Sequence, residues 1–244
     1  MTLKKQRHKP FYKQFLKLRT NVQNRIKIFK FKKQKWNNFK KDSLRQLKFF
    51  KRYKIKDQFS LTSIKFASRG NSYQKKFRNN LRYRKIFNLF YGGVKKKYLK
   101  NHINAIKKKN HRKIKFQSYR QNTIQFFESR LDIILYRAKF SFSIKNARQL
   151  ILHGHILVNN QIVRKSSYNL KTNDLIEIAK NSKSRMLIKK NIDRSNFWPV
   201  PPSHLQINYN TFQIIIGFLD SSTFLPIFSH YLNLNSVISN INRY

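Results

Sequence analysis

Cysteine is absent from the chain, which excludes disulfides, thiolate zinc sites and a cysteine nucleophile. Glycine is scarce, five in 244 residues, and no glycine-rich phosphate loop can be written along it. Acids are scarcer still for their class: eight Asp and Glu stand against 55 Lys and Arg, a formal net charge of +47. So few carboxylates leave no obvious pair for general acid–base work. His153 and His155 flank a glycine, but a His-x-His without a third ligand at a known spacing does not make a metal site. Neither a metal nor a cofactor is therefore expected, and catalysis is not. Long apolar runs are missing too. Phe212–Leu219 is the most apolar stretch, well short of the ~20 residues that span a bilayer. Met1–Pro10 is basic with no apolar core behind it, so no secretory signal and no membrane insertion are expected.

What remains is basic and partly apolar. Hydrophobic residues make 40% and aromatics 15%, enough for a moderate core in one or two domains. The charge is uneven. Residues 1–120 hold 40 basic and 2 acidic side chains, net +38, and residues 121–244 hold 15 and 6, net +9. With only Asp42 and Asp57 available, the first half cannot neutralise itself, and self-repulsion opposes compaction unless a polyanion is present. Nucleic acid is the first such polyanion, and an anionic membrane surface the second.

Along the chain, Phe15, Leu18, Val22, Ile26 and Phe29 fall at helical spacing over residues 11–30. Trp36, Phe39, Leu47 and Phe50 repeat the pattern over 36–50. Such stripes either pack on the protein's own body or order against RNA or a neighbouring protein. Residues 51–80 lose the periodicity and read as a connector along an RNA surface, with Arg69, Lys75 and Lys76 as its candidate contacts. In 81–101, Ile86, Leu89 and Phe90 form an apolar face, Gly92-Gly93 breaks the helix, and Lys95, Lys96 and Lys97 are too dense for a core. The run reads as a phosphate-contacting one rather than merely a solvated face.

The clearest local pattern spans Ser129 to Ile178. Leu131, Ile134, Leu135 and Ala138 share one helical face. Ser143 is a candidate N-cap for a second helix lined by Ala147, Leu150 and Ile151. Gly154 ends it, and Ile156 and Val158 alternate into a strand. Asn159-Asn160 turns to a return strand at Ile162, and Asn173-Asp174 leads into Leu175–Ile178. The reading is helix, helix, then a small antiparallel sheet.

The order "RLD…YR…ARQL…H.HI.VN…SY…D.IEI" closely resembles the small RNA-binding module of the S-four family. That module is shared by ribosomal protein four of the small subunit, some RNA-modifying enzymes and a tRNA synthetase. Three positions depart from the family pattern: Lys139 replaces a glycine, Asn159-Asn160 an Asn-Gly turn, and Asn173-Asp174 a Gly-Asp. Two further pieces are similar to the ribosomal protein. Leu81, Arg82, Arg84, Tyr91 and Gly92 fit a helix ending in Tyr-Gly, and 201–216 resembles the family's closing segment.

The resemblance implies an α+β fold: a helical domain interrupted by an S-four-type RNA-binding module, with a basic N-terminal extension. The expected divisions are 1–60 for that extension, 61–128 for the first helical part, 129–180 for the module, and 181–244 for a linker and C-terminal segment returning to the helical domain. It implies a structural constituent of the small ribosomal subunit that binds small-subunit rRNA early in assembly, beside neighbouring ribosomal proteins and near the side where mRNA enters. A free-standing RNA chaperone or ribosome quality-control factor carrying the same module is the alternative. Structured RNA is read largely by shape, phosphate and 2′-OH contacts. The candidates on the two helices are Arg130, Arg137, Lys139, Ser143, Lys145, Arg148 and Gln149, and on the hairpin His153, Asn159, Arg164 and Lys165. Arg82, Arg84 and Lys85 join them from the preceding helix. Arg148 is the foremost, because a guanidinium on a rigid helix can grip phosphate with two prongs. The bias to Lys, Asn, Ile, Phe and Tyr resembles translation of an A+T-rich organelle genome. The expected location is the mitochondrial matrix, with the plastid second.

Overall fold

The computed structural model describes residues 11–23, 26–52, 72–94, 96–109, 116–180, 182–193, 202, 204–217 and 237–238. Arg69, Lys95 and most of the expected 51–80 connector lie outside them, as does the side chain of Lys96. The fold is mixed helix and sheet, as the α+β reading required. Contacts divide the chain into two compact units, 1–90 with 228–237, and 91–227 with 238–244.

In the first unit, α1 (Phe11–Leu18) is followed by a 3-10 helix (Ile26–Lys30), α2 (Lys35–Arg52) and α3 (Tyr73–Phe90). The periodicity over 11–30 reads as one helix, but the helix stops at Leu18, because Arg19 adopts a left-handed φ of 50°. Three of the five expected positions are nonetheless internal: Phe15, Leu18 and Val22 are buried, Phe29 is half-buried, and Ile28, outside the expected stripe, is buried too, with Trp36 and Phe39 from α2. Tyr12, Phe31, Trp36 and Phe39 form a chain of edge-on and tilted rings at 4.9–5.7 Å. These members of the two stripes therefore serve the protein's own core, while the side chains of Ile26, Leu47 and Phe50 lie outside the described ones. Helix α3 starts at Tyr73, inside the stretch expected to be a connector. It buries Ile86, Phe87 and Phe90 rather than Ile86, Leu89 and Phe90, a face rotated by part of a turn.

The second unit contains α4 (Lys96–Lys109), α5 (Phe116–Glu128), α6 (Leu131–Arg137), α7 (Ile144–Leu152) and α8 (Ser182–Asp193). Its strands are β1 (Ile156–Val158), β2 (Gln161–Ile162), β3 (Leu175–Ile178), β4 (Leu205–Asn208) and β5 (Gln213–Ile216). All pair antiparallel in the order β2-β1-β3-β5-β4. Segment 205–216 supplies two further strands of the sheet, β5 beside β3 and β4 beyond it. The reason is apolar: Leu205, Ile214 and Ile216 complete a core that α6, α7, Val158, Ile176 and Ile188 line. Burying those side chains on a sheet already half-covered by α6 and α7 removes more apolar surface from water than leaving them on a strand pair alone.

Local backbone follows the sequence closely. Ser143 caps α7, its side chain accepting from Asn146 N at 3.1 Å. Asn159 and Asn160 both take positive φ, 49° and 64°, the geometry of a tight hairpin turn that asparagine tolerates. Lys139 sits at φ 66°, where a side chain costs about 1–2 kcal/mol and glycine nothing. Lys139→Gly is expected to raise stability by about 0.5–1 kcal/mol, after the extra entropy glycine gives the unfolded chain. A urea midpoint that falls would show that Lys139 makes a compensating contact.

Candidate nucleic-acid interface

In the second unit two acids, Asp132 and Glu128, are paired with arginines. Asp132, fully buried on α6, accepts from Arg130 Nε at 3.0 Å and Nη2 at 2.9 Å. The same carboxylate accepts from Arg148 Nε at 2.7 Å. Glu128, at the end of α5, takes both prongs of Arg137 at 3.1 and 2.9 Å. Burial works against the Arg130 charge, and the bonds to Asp132 outweigh it, so its pKa is raised. Buried Tyr91 has its pKa pushed well up by desolvation, and the neighbouring Glu128 carboxylate adds to this. A buried pair is retained where each charge is matched, since one left alone costs far more than the pair contributes.

These pairings, with a cap and a turn, give five of the candidate RNA contacts partners within the protein itself. Arg148, expected to grip phosphate, spends its guanidinium on Asp132, on Gly92 O at 2.7 Å and on Tyr91 O at 3.3 Å. Arg130 and Arg137 are likewise engaged by carboxylates. Ser143 is occupied as a cap. Asn159 stitches two turns together, donating to Asp174 Oδ1 at 3.0 Å and accepting from Leu175 N at 2.9 Å. Arg148 and Asn159 meet partners far along the chain, whereas Arg130, Arg137 and Ser143 meet theirs within two to nine residues.

Other candidates remain exposed. On α7, Lys145 and Gln149 lie one turn apart, with His153 following, on one stripe of the helix away from the core. Arg164 and Lys165 are exposed just after β2, and Lys97 is exposed in the first turn of α4. Lys139 is half-buried, which lowers its pKa by desolvation. In the first unit, Lys75, Lys76, Arg82 and Lys85 are exposed on α3 and Arg84 is half-buried. Arg82 also donates to Leu18 O at 2.8 Å. Arg78, not singled out from sequence, is exposed too, and Lys75, Arg78, Arg82 and Lys85 make one stripe at spacings of three, four and three. The helical period, once the true start of α3 is known, is the signal that finds it.

Two histidines were passed over by sequence reasoning. His102 stacks on Phe126 with ring centroids 3.5 Å apart. Desolvation lowers its pKa to about 4, and burial does the same to His204, also to about 4. Both are neutral in the folded protein at pH 7. Unfolding lets them bind protons below the ordinary value of about 6.5, so stability is level above that pH and falls as pH drops from about 6.5 toward about 4. His102→Phe is expected to shrink that fall, measured as the urea midpoint against pH; an unaltered curve would assign the acid sensitivity elsewhere.

Among the described residues no group of three or more His, Asp or Glu could hold a metal ion, and no helix is long and apolar enough to cross a membrane. The exposed groups are amides, an imidazole and cations, which suit binding of an anionic polymer rather than bond-making chemistry.

Comparison with known proteins agrees with this geometry. A family model described as the S4 domain matches residues 129–176. Small ribosomal subunit protein uS4 of Kosmotoga olearia is 44% identical over 87 residues, covering 36% of this chain and 41% of that protein. Small ribosomal subunit protein uS4c of Psilotum nudum is 47% identical over 89 residues, covering 36% and 44%. For uS4c of Chlorokybus atmophyticus the figures are 37% over 118 residues, 48% and 55%. The matched stretch thus spans about half the length of these relatives or somewhat less. With its capped α7, paired Asn turns and small antiparallel sheet, the segment 129–176 is similar to the S4 domain.

Proposed function

We propose that the protein is a structural, non-catalytic constituent of the small ribosomal subunit that binds small-subunit rRNA beside neighbouring ribosomal proteins. The observation that carries this is the S4 domain's division of labour. Its buried arginines are matched by Asp132 and Glu128, while Lys145, Arg164 and Lys165 stay at the surface of a chain with net charge +47. The similarity to proteins named small ribosomal subunit protein uS4 supports the same reading. Phosphate contacts of this kind fix position on folded RNA without reading much sequence. On this reading the protein joins the rRNA early in assembly and lies near the side where mRNA enters. The compositional bias, with five glycines and 22 phenylalanines, supports an organelle ribosome, the mitochondrial one ahead of the plastid.

Sedimentation tests the proposal. The tagged full chain should travel with small subunits from the organelle fraction and stay there after a high-salt wash. Release by the wash would favour a transient assembly or quality-control factor instead. Recovery in plastids rather than mitochondria would reassign the compartment alone.

A further inference from the structure

Resting on the rRNA-binding reading above, we infer that Asp132 and Arg148 are positioning residues, which hold Lys97 toward RNA without touching RNA themselves. Lys97 is exposed, and described residues on either side of it in sequence, Tyr91 with Gly92 and Tyr98, are each fastened. On one side, Arg148 donates to the carbonyls of Tyr91 and Gly92 at 3.3 and 2.7 Å. Gly92 has φ 71°, and a Cβ there would lie 2.5 Å from Ile144 Cγ2, so this turn sits directly on α7. Tyr91 is fully buried, its ring 5.0 Å from that of Phe127. On the other, Arg130 lies over the Tyr98 ring, 5.5 Å from its centroid.

Both arginines are aimed by one group. Asp132 takes Arg130 on two bonds and Arg148 on a third, and it is fully buried. A guanidinium presents its donors in a fixed planar fork, so fixing Arg148 Nε on Asp132 determines where its remaining nitrogens point. The backbone that carries Lys97 is thereby referenced to the rigid helix α7, which presents Lys145 and Gln149. The consequence runs against simple electrostatics. Deleting the Asp132 charge makes the chain more cationic, yet it weakens RNA binding by freeing the segment that carries a contact.

The test is a double-mutant cycle on the full chain with a full-length small-subunit rRNA transcript, together with amide hydrogen exchange of the free protein. Lys97→Gln is expected to lower affinity about fivefold in the wild-type background. It should cost less than about twofold in Asp132→Asn and in Arg148→Lys, because the lysine is already misplaced there. Arg148→Lys keeps the charge but cannot reach Asp132 and two carbonyls at once. It decides the matter should Asp132→Asn not fold. Exchange of the Val94–Tyr98 amides should quicken in Arg148→Lys while the α7 amides hold. An equal Lys97→Gln penalty in every background, or none in the wild type, overturns the inference. If the wild-type chain does not bind the transcript at all, the rRNA-binding proposal falls. The role toward RNA falls with it, and the exchange measurement then reports only whether Arg148 fastens this stretch, which unchanged exchange at 94–98 refutes as well.

Discussion

Raising monovalent salt from about 50 to about 200 mM is expected to weaken binding of the full chain to small-subunit rRNA by about 10³- to 10⁵-fold. The reasoning is a matter of released counterions. Each phosphate neutralised by a lysine or arginine frees condensed cations, and a protein with roughly six to ten such contacts shows a loss of this size. Lys75, Lys76, Lys85, Lys97, Lys145, Arg164 and Lys165 are all exposed candidates, and the chain has very few acids with which to compete for them. Arg130, Arg137 and Arg148 are expected to add little to the slope, because carboxylates already engage them. Filter binding across a salt series gives the slope directly. Converting Lys95, Lys96 and Lys97 together to Gln should lower it by roughly two to three. A wild-type slope near zero would mean that phosphate is not what the surface binds.

Asp132→Ala is expected to destabilise the second unit by about 3–5 kcal/mol, the penalty for breaking a buried pair by removing one partner. Two arginines lose their shared acceptor in that variant. The Arg130 side chain is 7% exposed and Arg148 26%, so Arg130 is the one stranded, and most of the loss belongs to it. Arg148 can swing toward water and should lose less. Replacing Arg130 as well, in Arg130→Met with Asp132→Ala, should recover much of the loss, because a matched apolar pair often does as well as the ion pair. Urea unfolding followed by circular dichroism checks both variants. A loss below about 1 kcal/mol for Asp132→Ala would place these charges in a wetter setting than their burial indicates.

Residue pattern made the module legible because its interactions are short in sequence. Leu131, Ile134, Leu135 and Ala138 share a face through the helical period, Ser143 caps three residues ahead, and the Asn159-Asn160 turn is set by two adjacent backbones. The partners of the module's acids were not legible: Asp132 pairs with Arg130 and Arg148, Asp174 accepts from Lys171 N at 2.7 Å, and Glu177 accepts from Gln213. Element boundaries were also less legible. The break after Leu18 and the early start of α3 depend on tertiary burial overriding a weak local preference.

From the sequence by itself came the charge imbalance, the kind of polymer it calls for, and the helix–helix–sheet order of residues 129–178. The folded chain alone decided which cations face outward. A basic side chain looks the same in a sequence whether it ends in water or on a carboxylate. The partners of Arg148 are Asp132, sixteen residues away, and Gly92, fifty-six residues away. Sequence period carries no information at such separations, since only packing brings those atoms within hydrogen-bond reach. The same holds for 205–216, whose alternation announces a strand but not its neighbour; the apolar face left open on β3 chose it.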